Sequence, residues 1–310
     1  MNDITCNIKA FYRPKKFQQC LSSVIDAGIW KIIVGYDGPK ELLEEHKEII
    51  DKYKGDNYIK LIELPFNAGL SKTRNKMVEE TKTEYILQLD DDNYIPRNIM
   101  EPLSFLKDKP LVGGVSFGWL KDDEWLPMMD AYDIEIINGF FFKTYNVPKH
   151  VYYVHNIQYM LAFDFVPNQG IFRKAVFDEI KWDENYIIDR EHEDYFLSLK
   201  LYTAWKFAIT PSIYLRHSPG GDKEFMSFRT GDKALTSAKY FLAKWNLKGI
   251  SPSLIPPCRV RYLFNADTQF QSSFKHNMEI RKRVLMNQQT DRDYFTFEPL
   301  TEKEDGFESR

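Results

Sequence analysis

The first third of the chain switches repeatedly between a period of two and a helical period, and this alternation constrains the fold more than any other feature. Strand-like stretches at 7–12, 31–38, 58–65 and 84–92 alternate with helix-like stretches at 14–28, 40–53 and 70–81. Pro14 stands near the start of the first helical stretch and Gly28 at its end; Ser71 is placed to cap the third. The order β-α-β-α-β-α-β predicts an α/β fold, with a mostly parallel sheet flanked by helices. Such sheets bind ligands beyond the carboxyl ends of their strands. Asp37 and the run Asp90–Asp91–Asp92 both fall at such ends.

Beyond residue 95 the rhythm changes. The pattern predicts helices over 95–108, 173–180, 193–205 and 222–246, and extended chain over 111–120, 131–166 and 206–217. From about 247 a proline-rich stretch breaks regular structure. The 43% hydrophobic and 28% charged fractions are those of a soluble globular chain. A net charge of −3 argues against binding nucleic acid through its phosphates. Cys6, Cys20 and Cys258 are widely spaced and form no C-x-x-C pair, so no zinc or redox framework is expected. With no apolar run of about 18 residues and no signal-like N-terminus, the expected location is cytoplasmic. Peripheral contact with a membrane stays open.

Three adjacent carboxylates at the rim of a buried sheet raise each other's pKa unless a cation holds them. Four readings compete. The first is a solvated acidic loop. The second, an EF-hand, fails because Ile95 stands where the sharp turn needs glycine and Tyr94 takes a ligand position. The third is a haloacid-dehalogenase phosphatase, whose D-x-D spacing Asp90 and Asp92 match, although that motif follows the first strand of its fold. The fourth is a nucleotide-sugar transferase, in which a divalent metal bridges a diphosphate and neutralises its charge as it leaves.

The last reading predicts companions, and the chain carries them. "IKAFYRPKKFQQCLSSV" (8–24), "IIVGYDG" (32–38), "NAGLSKTRNKMVEETKTEYILQLDDDNYIP" (67–96), "VPNQGIFRKAVFDEIKWDENYIIDREHEDYFLSLKL" (166–201) and "IYLRHSPGG" (213–221) follow one another in the order of the family 2 glycosyltransferases. Over roughly residues 6–220 the chain resembles that family, which has the GT-A fold. Thr73 departs from the alanine usual there. The resemblance implies a glycosyltransferase domain over 1–245, with a nucleotide-sugar half at 1–108 and an acceptor half at 109–245. Residues 246–310 are left as an extension without an assigned role. It also implies metal-dependent, inverting transfer of a hexosyl or N-acetylhexosaminyl group from a UDP-sugar to a glycan, lipid-linked or protein acceptor. The cofactor is Mn2+ or Mg2+.

Residue by residue, the resemblance implies donor contacts from Arg13, Asp37, Asn67, Gly69, Arg74, Asp90 and Asp91. Metal ligands would be Asp92, Asp90 and His217. The acceptor hydroxyl needs a general base, for which Asp194 leads, with Glu193 and Glu191 as contenders. Each has an ordinary alternative: Asp37 precedes Gly38 as in many turns, and carboxylates are favoured at a helix N-terminus whatever their use. Trp182, with Trp119 and Trp125, is a candidate wall of the sugar pocket. The loop 218–225 is a candidate cover for the diphosphate, with Lys223 reaching phosphate. His192 carries no such context. A sugar-binding protein that has lost activity is the alternative from outside enzymology.

Overall fold

The computed structural model describes residues 3–121, 128–144, 149–229, 232–250 and 258–259. Trp125 and most of 246–310 lie outside them.

The opening alternation folds as expected. Strand β1 (Ile4–Ala10) is buried along its whole length. It lies parallel to β2 (Lys31–Tyr36) on one side and β4 (Tyr85–Asp90) on the other, and β2 pairs in parallel with β3 (Tyr58–Glu63). Helix α1 (Pro14–Asp26) buries Phe17, Cys20, Leu21 and Val24, spaced to share one face. Burying an apolar side chain of this size stabilises by about 1.5–3 kcal/mol. Gly28, at φ +79°, turns the chain out of the helix. Helix α2 (Leu43–Tyr53) follows a single 3-10 turn. Helix α3 (Leu70–Glu80) starts behind Gly69 and has no side-chain cap. Ser71 lies inside the first turn with its hydroxyl buried and unpartnered, so it is not the cap expected from sequence.

Thr73, the departure from the family pattern, has a packing reason. A Cβ on Gly35 would fall 2.5 Å from Thr73 Cγ2. The bare backbone of β2 makes room for the extra methyl where α3 crosses it.

The short strand β5 (Asn93–Tyr94) follows the aspartates. The helix expected over 95–108 is shorter: turns run to Pro102, where α4 (Pro102–Asp108) begins. Proline disfavours helix in the residue before it, as Pro96 does for Ile95, and Pro102 takes the first helical position, where its missing N–H costs nothing. The extended region resolves into β6 (Val112–Lys121), β7 (Met128–Met129), β8 (Asp133–Ile137), β9 (Phe140–Thr144), β10 (His150–Val154), β11 (Ile157–Phe163) and β12 (Gly170–Arg173). Then come α5 (Lys174–Glu179), α6 (Glu191–Tyr202), β13 (Lys206–His217), α7 (Lys223–Arg229) and α8 (Asp232–Lys244). Beyond residue 245, β14 (Gly249–Ile250) pairs with β9 and β15 (Cys258–Arg259) with β7.

The main sheet runs β10-β11-β13-β6-β12-β4-β1-β2-β3. Four adjacent strands, β4, β1, β2 and β3, are parallel. Strand β12 is antiparallel to both neighbours, β4 and β6, and joins the two halves of the sheet. Strand β6 then pairs in parallel with β13. At its far end β13 also takes β5, with His217 opposite Asn93. That pairing carries the end of β13 to the aspartate run.

Candidate active site

Chain ends converge where β1, β2, β4 and β13 finish. The residues after β1 supply Arg13, which binds Asp91 through one guanidinium nitrogen and Asp92 Oδ2 through the other at 2.7 Å. The same guanidinium donates to the Gly220 carbonyl at 3.1 Å. Asp91 is buried and also accepts the Phe11 N–H at 3.3 Å. Burial pushes its carboxyl up, against the pull of Arg13. Asp91 therefore anchors Arg13 from below.

Asp92 differs. Its Oδ2 lies 3.4 Å from His217 Nε2. Burial works against its charge, but the His217 ring and Arg13 outweigh it and hold the carboxyl at about 2. Two ligands about 2.1 Å from one octahedral cation stand about 3 Å apart, so Asp92 and His217 fit a shared divalent metal. Among the described residues no cluster of three or more metal-ligating side chains forms. Asp90 does not join them: one oxygen takes Arg74 at 3.3 Å and the other takes Gln169 Nε2 at 3.3 Å.

Arg74 is buried on α3 between Asp90 and α6. Its second nitrogen meets His192 Nε2 at 3.1 Å and lies 3.8 Å from Glu191 Oε1. The guanidinium stacks on Trp182, 5.0 Å from the ring centroid. Trp182 is itself packed face to face on Tyr195 and 2% exposed. It supports Arg74 from the core and is no wall of a sugar pocket.

Asp37 is buried and neutralised by Lys9 Nζ at 2.6 Å and the Gly69 N–H at 3.0 Å. Its carbonyl accepts the Asn67 N–H at 2.7 Å. Asn67 takes φ +52° and Gly69 φ +98°. A Cβ on Gly69 would fall 2.8 Å from the Ile187 Cα, so this position needs glycine twice over. Asp37, Asn67 and Gly69 line one small cavity with Lys9, Phe11 and Phe228.

The three acidic residues of α6 have separate fates. Asp194 is held by Tyr186 at 3.2 Å, Trp245 Nε1 at 2.8 Å and Lys244 at 2.9 Å. These contacts tie α6 to α8 and the residue after it. Glu193 pairs with Arg190 at 3.0 Å and Lys143 at 3.2 Å. Burial opposes its charge, yet Lys143 and Arg190 draw the carboxyl down to about 2. Glu191 is fully buried, and one of its oxygens has no partner. Burial pushes it up to about 7, with Arg74 only partly compensating. Its other oxygen is 3.3 Å from His192 Nδ1. Asp189 and Arg190, just before α6, both adopt left-handed backbone. Such strain persists where surrounding structure enforces it.

A cavity of about 330 Å³ opens between these groups, with His217 and His192 both in its wall. Asn93, Gln169 and Trp119 line it too. Sequence reasoning passed over His192 and Gln169: a lone histidine or glutamine has no spacing signal, and only the fold brings them to the cleft. The loop 218–222 lies beside the aspartates, with Lys16 Nζ reaching the carbonyls of Ser218, Pro219 and Gly220 at 2.6, 3.1 and 3.0 Å. Lys223 is exposed at the first position of α7.

Comparison with known proteins agrees with this architecture. S. aureus TarS, residues 1–349, superposes with a TM-score of 0.50 at 12% identity, covering 91% of this chain and 83% of that one. The same TarS fragment in complex with UDP-GlcNAc gives a TM-score of 0.48 at 13% identity, covering 91% and 81%. The likeness is one of fold. No curated protein sequence matches the chain. The sequence profile described as "Glycosyl transferase family 2" matches residues 6–180, more than half of the chain. This chain belongs to glycosyl transferase family 2.

Proposed function

We propose that the protein transfers a sugar from a nucleoside-diphosphate sugar, with UDP as the favoured nucleotide, to a hydroxyl acceptor by an inverting, metal-dependent route. The observation that carries this reading is the meeting of Asp92 and His217 at 3.4 Å beside Arg13 and Arg74. A divalent cation needs few protein ligands when a diphosphate supplies oxygens of its own. Asp92 and His217 would hold the metal, which supplies charge neutralisation for the departing diphosphate.

The remaining work falls to the chain. Asp37 and Asn67, which border a small cavity at the end of β2, would contact the nucleobase. Arg74, fixed by Asp90 and stacked on Trp182, is positioned to pair with donor oxygens. Arg13 already bridges Asp91 and Asp92, and phosphate oxygens would offer it a further partner. Inversion requires a base at the acceptor hydroxyl. Glu191 and His192 suit this role together: His192 lines the cleft, and Glu191 sits behind its Nδ1 with a carboxyl poised near neutrality. Asp194, bound to α8, serves the fold.

A thermal-shift screen of nucleotide sugars with and without Mn2+, followed by product analysis, tests the reading. A specific donor raises the melting temperature with the logarithm of its excess over Kd. Metal-dependent stabilisation by one nucleotide sugar, with release of its diphosphate and an inverted anomeric centre in the product, is the expected result. Retention at the anomeric carbon would remove the need for a base. Donor binding without turnover on any acceptor would favour the inactive sugar-binding reading.

A further inference from the structure

The cleft that holds His217 and His192 also carries groups that the donor reading does not use. Asp130, from the segment before β8, lines the cavity half-buried and makes no hydrogen bond to a described residue. Asn168, ahead of β12, lines the same cavity at 5% exposure, and its side-chain Nδ2 has no partner. An unmet buried amide is costly unless a ligand completes it. Trp119 and Phe165 supply ring surface between them. Aromatic faces, one carboxylate and one amide match the alternating apolar faces and vicinal hydroxyls of a sugar ring.

We propose that Asp130 and Asn168 form the acceptor-binding pair and that the acceptor is an uncharged sugar. Asp130 accepts a hydrogen bond from one ring hydroxyl, and the Asn168 amide donates to the oxygen of a neighbouring one. An acceptor carrying phosphate or carboxylate at this position would meet Asp130 and be repelled. Burial also pushes the Asp130 carboxyl up, with Lys143 only partly offsetting it and Glu193 adding to it. A hydroxyl donating to that carboxylate relieves this cost. The inference rests on the glycosyl-transfer reading and adds to it the chemical class of acceptor.

The test is saturation-transfer NMR on the full chain with UDP and Mg2+, the diamagnetic choice. The probes are the methyl β-glycosides of glucose, galactose and N-acetylglucosamine, with glucose 6-phosphate as the anionic control. In the native protein, ring protons of at least one neutral glycoside should receive saturation, and glucose 6-phosphate should not. Asp130→Asn and Asn168→Ala should each weaken the glycoside signal about 5-fold or more, while UDP signals persist and report an intact fold. The pair is overturned if UDP binds and no glycoside does, if both variants keep the native glycoside signal, or if glucose 6-phosphate competes equally. Absence of UDP binding in the native protein would overturn the donor reading itself, and the pair with it.

Discussion

Glu191 and Asp194 stand on one turn of α6, yet their surroundings divide them. Asp194 has three donors and holds two helices together; Glu191 has an oxygen with none. Removing Asp194 leaves Trp245 and Tyr186 without that partner and Lys244 with Asp183 alone, so Asp194→Ala should destabilise by about 2–4 kcal/mol, measured by urea unfolding. Glu191→Gln should do the opposite to stability and abolish most transfer. The sign follows from the carboxyl at about 7, above an unfolded value of about 4.3. Below both values Glu191 is protonated in either state and costs nothing. As pH rises through that interval the unfolded chain ionises first, and the folded state loses stability until pH passes about 7. The variant should therefore gain on the native protein at pH 8, on the order of 3–4 kcal/mol, and match it near pH 4. Equal melting temperatures for the two proteins at pH 8 would contradict the burial of Glu191. Sequence alone identified the acidic cluster at 191–194 but not this division, because the partners lie far along the chain. Lys244 is 50 residues from Asp194 and Arg74 118 residues from His192.

At the scale of elements, two junctions hold the site in shape. Where α3 begins, the Leu70 N–H bonds the Ile187 carbonyl at 3.0 Å, so the turn before α6 rests on the left-handed Gly69. Gly69→Ala adds a methyl against the Ile187 backbone and forces positive φ on alanine. A loss of about 1–3 kcal/mol is expected, together with weaker UDP binding as α3 shifts, read by calorimetric titration. The second junction is the clamp of Lys16 and Arg13 on the carbonyls of 218–220. Lys16→Ala should leave the melting temperature within a few degrees and raise amide exchange over 218–225 at least several-fold. Unchanged exchange there would mean that the aromatic contacts of Phe225 and Phe228 with Phe11 and Tyr12 hold the segment alone. Sequence periodicity placed the parallel strands and β13 well, because buried strands carry their pattern locally. It left 131–166 merely extended: hairpin pairing depends on partners across the sheet, and no local signal names them. It overran α4, where Pro102 begins the helix instead of interrupting it.

Among the described residues the main sheet is mixed, its parallel edge meeting the rest at β12, and β8, β9 and β14 form a second, three-stranded sheet. That junction sets donor groups from β1, β2 and β4 beside His217 from β13. The aspartate run, an electrostatic liability in isolation, is distributed by this geometry: Asp90 to Arg74, Asp91 to Arg13, and Asp92 to His217. Asp92 and His217 are the proposed metal pair. Calorimetric titration of UDP, with Mn2+ present or replaced by chelator, measures this directly. The native protein should bind UDP at least about 10-fold more tightly with Mn2+, a difference of about 1.4 kcal/mol, and Asp92→Asn and His217→Ala should each abolish that gain. UDP binding that ignores the metal in the native protein, or a metal gain that survives both substitutions, would contradict it.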